Sequence, residues 1–191
     1  MVQTDNRVEE ILRLFLEIRV RESHIHLTSP QCHALFGHDL TAAQAPEDCG
    51  RFLAREQVTL LNGAGSIPAL PVVGPARDTP WLTLSCADAC RVGLSGESAA
   101  GAVVAGNLGK VRLRCGLSQL RRQVCLTPEW AAHLPVTQGQ QVQIQVFSRR
   151  PVIFQNVSVC IRPGCTPAVW IDREEANACG LQKGDLGRIR I

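Results

Sequence analysis

Two histidines one residue apart, His24 and His26 in ESHIHLTSP, are the side chains whose spacing suggests chemistry first. Side chains alternate along a β-strand, so both imidazoles fall on one face and can bind a single metal ion. By spacing alone, two ordinary strand histidines are the simpler reading. The nine cysteines contain no CxxC pair, and Cys86/Cys90 and Cys160/Cys165 are spaced too loosely for a zinc knuckle. An odd number of cysteines suits reduced thiols, most of them packed as small apolar side chains. His33, His38 and His133 fall in helical or loop contexts and read as surface or capping residues. Arg149-Arg150 read as solvated on a hairpin turn, and Arg121-Arg122 as exposed strand ends. Arg77, after a Gly-Pro-Ala step, reads as an ion-pair partner for Asp78 or another acid.

These groups need elements to hold them. A chain of 191 residues can bury a real core, and without tyrosine that core must be Val, Leu, Ile and Ala. Val8, Ile11, Leu12, Phe15 and Ile18 recur at helical spacing and predict an amphipathic helix over 5–19, with Asn6 and Glu9 suited to its cap. Beyond Arg19 the texture becomes short alternating runs cut by Gly, Pro, Asn and Asp, such as WLTLS, KVRLRCG and QQVQIQVFSRR, which predict many short strands. Short helices are expected after Ser29-Pro30 and Thr127-Pro128, and over Asp172–Ala178. The net charge of +3, with no basic run interleaved with aromatics, argues against nucleic acid. No apolar run is long enough to span a bilayer, and the charged N-terminus lacks the order of a signal peptide. A cytoplasmic protein is expected, with no membrane partner.

The chain also resembles itself. HIHLTSPQCHALFG at 24–37 matches QVCLTPEWAAHLPV at 123–136. TPWLTLSCADACRVGL at 79–94 matches the segment from Thr166 to Leu181, setting Thr83 against Trp170, Asp88 against Glu175 and Gly93 against Gly180. The paired segments occur in the same order, which favours an internal duplication. The expected fold is mainly β: two related β-barrels with short capping helices and an N-terminal amphipathic helix. The expected divisions are 1–23, 24–121 and 122–191, with a strand at 18–23 available to complete the second barrel.

HIHLTSPQCHALFG, VVGPARDTPWLTLS and WIDREEANACG resemble segments of the PduL-type phosphate propanoyltransferases, the phosphotransacylases of bacterial microcompartments. The resemblance covers nearly the whole chain, and WIDREEANACG is its most specific part. It implies two β-barrels enclosing a dinuclear zinc site, with an acyl group moved between coenzyme A and phosphate. In this pattern each half begins with H-x-H and adds one further ligand, a Glu in the first half and a His in the second.

Carried onto this sequence, the first H-x-H is His24 and His26, and the Glu position is Thr83. The second H-x-H is Gln123-Val124-Cys125, and the final His position is Trp170. Four of the six ligand positions are therefore replaced. What remains implies at most one zinc site, from His24 and His26 with Cys125 as third ligand, since a thiolate binds zinc well. Arg77 and Arg122 match arginines of the pattern and are expected to meet phosphate, with coenzyme A as a substrate. Weakened or lost catalysis is expected, and the alternative is an inactive scaffold or assembly subunit of a microcompartment. Shell or cargo proteins are then partners, the N-terminal helix could address the shell, and a homo-oligomer stays open.

Overall fold

The computed structural model describes residues 11–43 and 50–191, in which thirteen strands and four short helices occur. Strand β1 (Phe15–Arg21) departs from expectation, because its residues fall in the stretch whose apolar spacing predicts a helix. Leu16 and Ile18 are buried and their neighbours less so, a period of two that overrides the helical period. The cause is pairing. β1 runs parallel to β12 (Ala168–Asp172) and antiparallel to β13 (Leu186–Arg190), which satisfies its backbone polar groups. Residues 11–12 are helical, and the expected helix over residues 5–10 lies outside the described residues.

The chain divides into two compact units. One joins the residues up to Arg21 to Arg121–Ile191. With β9 (Gln123–Leu126), β10 (Gln141–Phe147) and β11 (Val152–Ile161), it forms a closed barrel in the order β1-β12-β9-β11-β10-β13. Its core contains Leu16, Ile18, Val124, Leu126, Ile144 and Val169. The other unit spans Glu22–Leu120. Its strands are β2 (His24–His26), β3 (Phe52–Asn62), β4 (Gly65–Gly74), β5 (Trp81–Leu84), β6 (Val103–Ala105), β7 (Lys110–Arg112) and β8 (Gly116–Gln119). They form one sheet in the order β7-β6-β3-β4-β2-β5-β8, around a core that includes Ile25, Leu27, Leu60, Val72 and Leu82.

The duplication is written into the strand registers. His24 pairs with Thr83 across antiparallel β2 and β5, and Gln123 pairs with Trp170 across antiparallel β9 and β12. Ile25 faces Val72 on parallel β4, and Val124 faces Val159 on parallel β11. Leu117 of β8 runs beside Leu82, as Ile18 of β1 runs beside Val169. Even strain repeats: Ala69 and Asn156 hold positive φ of 52° and 55° at corresponding points of the two long hairpins.

Four helices cap these sheets as the turn chemistry requires: α1 (Ser29–Phe36), α2 (Cys86–Val92), α3 (Pro128–Ala131) and α4 (Arg173–Cys179). Thr28 and Thr127 cap α1 and α3, each followed by a proline in the first turn. Ser85 and Asp172 cap α2 and α4, which end at left-handed Gly93 and Gly180. Cys86 opens α2 and is exposed, so it does not continue the alternation of β5.

A candidate metal and anion site

In the 22–120 unit, His24 and His26 lie on the face of β2 opposite Ile25 and Leu27, both of which are in the core. Their rings sit 5.4 Å apart between centroids and nearly perpendicular. His24 Nδ1 lies 2.8 Å from the carbonyl of Glu22, and His26 Nδ1 lies 2.8 Å from that of Val73. A carbonyl can only accept, so each Nδ1 carries the proton and each lone pair is on Nε2. Backbone carbonyls commonly orient metal-binding histidines in this way. Burial, then the positive Arg77 and the neighbouring His24, lower the His26 pKa from 6.5 to about 4, so its ring is neutral near pH 7. A neutral, Nε2-basic imidazole is the form that zinc requires.

The third position of this half is filled differently. Thr83, directly opposite His24, shares a hydrogen bond of 3.1 Å with Ser118 Oγ, which also accepts from Trp81 Nε1 at 3.0 Å. A neutral hydroxyl held in such a network is a poor zinc ligand. Among the described residues no group of three or more His, Cys, Asp or Glu side chains is arranged to hold a metal. The histidine pair fits zinc as two ligands and no more.

Arg77 stands at the end of the same strands. Its backbone N–H donates to the Leu27 carbonyl at 2.9 Å, placing it one residue beyond His26. It makes no ion pair with Asp78, contrary to the simplest reading of the sequence.

In the unit containing residues 121–191, the corresponding positions do not fit a metal. Arg21 Nη1 donates to Gln123 Oε1 at 3.1 Å, and its guanidinium lies 4.8 Å from the centre of the Trp170 ring. Arg19, which pairs with Trp170 across β1 and β12, approaches the same ring at 5.9 Å. A fixed cation and an indole therefore stand where the repeat places two ligands. Cys125 is buried, and burial raises its thiol pKa to about 11, with neighbouring Cys160 acting in the same direction. Unlike Val124 and Leu126, it is not part of the barrel core.

Arg122 is engaged within its own unit. Its Nε donates to Glu175 Oε1, its Nη1 to the Gln155 carbonyl at 2.8 Å, and its guanidinium lies 5.0 Å from the Phe154 ring centre. Glu175 is also the third residue of α4 and completes a capping box with Asp172. The same tie exists in the other unit, where Ser23 Oγ donates to Asp88 Oδ2 at 2.6 Å. In both copies the residue preceding the first ligand position fastens its strand to the first turn of a helix. Of the expected site residues, His24, His26 and Arg77 gather at one end of β2, while Cys125 and Arg122 lie in the other unit. The sequence reading missed Arg21, Ser118 and Arg51. The repeat could have revealed Arg21, since the strand preceding β2 corresponds to the one preceding β9.

These features define a mainly β protein of two repeated units, one a closed six-stranded barrel and the other a seven-stranded sheet, with a histidine pair in the sheet and an arginine–indole cluster at the corresponding positions of the barrel. A sequence profile of the phosphate propanoyltransferase family matches residues 17–182. The chain is 34% identical to a phosphate propanoyltransferase of Rhodobacter capsulatus, over 91% of its length and 85% of the relative's. It is 31% identical to one of Enterococcus faecalis, over 96% and 92%. Identity to one of Leptotrichia buccalis is 32%, over 87% and 83%. The chain belongs to the phosphate propanoyltransferase family.

Proposed function

We propose that the protein catalyses, in weakened form, the reaction acyl-CoA + phosphate to acyl phosphate + CoA. The observation that supports this best is the pair His24 and His26, with both Nδ1 atoms committed to carbonyls and Arg77 beside them. In this reading Nε2 of each histidine holds a single zinc ion. Zinc bound there would supply Lewis acidity to the thioester carbonyl and to the departing thiolate. Arg77 binds phosphate through its guanidinium fork. Arg122 is committed to Glu175, and its part is to position β9 against α4. Catalysis is weak because Thr83, Gln123 and Trp170 offer a metal little or nothing.

A second reading, an inactive scaffold or assembly subunit of a microcompartment, draws on the Arg21–Trp170–Gln123 cluster, which is satisfied without any ligand. Zinc titration together with a thiol-release assay separates the two. An enzyme takes up close to one equivalent and releases thiol from acyl-CoA only when phosphate is added, and His24→Ala abolishes both. A scaffold does neither and still melts cooperatively. No helix among the described residues is long and apolar enough to cross a membrane.

A further inference from the structure

We infer that Arg51 and Arg77 together form an anion site for inorganic phosphate beside His24 and His26, with Arg51 supplying the second guanidinium. This rests on the acyl-transfer reading for its role, though not for its existence.

Three chain segments converge there. The carbonyl of Val73, near the end of β4, meets His26 Nδ1 at 2.8 Å. Three residues beyond β4, the Arg77 N–H meets the Leu27 carbonyl at 2.9 Å. Phe52, the first residue of β3, pairs with Gly74, so Arg51 lies level with the turn that carries Arg77. The two guanidiniums sense each other: Arg77 is lowered from its usual pKa by burial and then by the charge of Arg51. Both also act electrostatically on His26.

Both side chains are exposed, and among the described residues neither forms a hydrogen bond or ion pair through its guanidinium. Two like charges brought together, with no carboxylate paired to either among the described residues, repel each other. An anion between them reverses the sign of that interaction. Guanidinium forks match the oxygens of a tetrahedral oxyanion. Phosphate held here would lie beside the histidine pair, from where one of its oxygens would attack the carbonyl carbon of a thioester and the coenzyme A thiolate would leave.

The shared chemistry extends to the phosphates of coenzyme A, so the test needs two ligands. Inorganic phosphate and coenzyme A are titrated separately into the full chain at low ionic strength, by calorimetry. Arg51→Gln should weaken phosphate binding about tenfold, the loss of one charge-assisted contact. Arg51→Lys should fall between, and Arg55→Gln, an exposed arginine on the same strand, should change nothing. Thermal melts confirm that each variant is folded. Phosphate binding that is absent in the parent protein, or unchanged in Arg51→Gln, overturns the site. Loss of coenzyme A binding with phosphate binding intact overturns the choice of ligand. Arg51-dependent phosphate binding without phosphate-dependent thiol release leaves this site standing while the acyl-transfer reading falls.

Discussion

Acidification should destabilise the 22–120 unit through His26 in a way that one substitution removes. In the folded protein His26 is 4% exposed and resists protonation until about pH 4, whereas an unfolded imidazole protonates near 6.5. Between those values protons favour the unfolded chain. The contribution of the neutral ring is therefore fully present above pH 6.5 and is lost as pH falls towards 4. A difference of 6.5 against about 4 sets a ceiling of about 3.4 kcal/mol, of which about 2.5 kcal/mol falls between pH 7.5 and pH 4.5. His26→Asn keeps a nitrogen near the Nδ1 position to donate to the Val73 carbonyl but cannot titrate. Amide hydrogen exchange across β2 and β4, in urea with EDTA present, reads the stability of this unit separately from the barrel. The parent should lose about 2.5 kcal/mol more than the variant over that pH span. Equal slopes for the two proteins would refute the reasoning, because the lost protonation would then have to lie elsewhere.

The tie between Arg122 and Glu175 yields a stability prediction: Glu175→Gln weakens both the ion pair and the capping box, and should cost about 1–2 kcal/mol in urea unfolding. Arg122→Ala should cost a similar amount, and the double variant little more than either alone, because the two residues act as a unit. A further test uses Gly116, where an added Cβ would run into the Trp81 ring. Gly116→Ala should displace the indole from Ser118, cost about 1–3 kcal/mol in thermal unfolding and red-shift the Trp81 emission. An unshifted spectrum would mean that the ring does not depend on the bare backbone beneath it.

Much of the fold could be read because its signals are local. Proline after a threonine cap starts α1 and α3, and Gly93 and Gly180 end α2 and α4, so the helices follow from a few residues each. The repeat alignment of Thr83 with Trp170 recurs as a strand register on both sides. What failed was residues 15–19. Their apolar positions suit either a helical stripe or a strand, and the choice was made by β12 and β13, more than 150 residues away in sequence. The site divided in the same way. The placement of His24 and His26 on one face of a strand was legible from their spacing. Arg51 carries no motif, and only the pairing of Phe52 with Gly74 brings it near Arg77.

The duplication also shows how residues at matching register positions can differ between the two copies while the fold persists. His24 and His26, like Gln123 and Cys125, point away from the cores that hold Ile25, Leu27, Val124 and Leu126. Alternation along β2 and β9 therefore puts one set of side chains into the core clusters and the other set on the opposite face. A substitution on the face away from the core cluster leaves no cavity within that cluster. The two copies then diverged at the same register positions with different outcomes. In one, carbonyls still orient a pair of imidazoles. In the other, an arginine from β1 has taken up the glutamine and the indole. A guanidinium therefore stands on that face of the barrel, where the sheet presents two imidazoles. In the unit that carries the histidines, Arg51 and Arg77 are where the handling of anions by guanidinium groups can be measured.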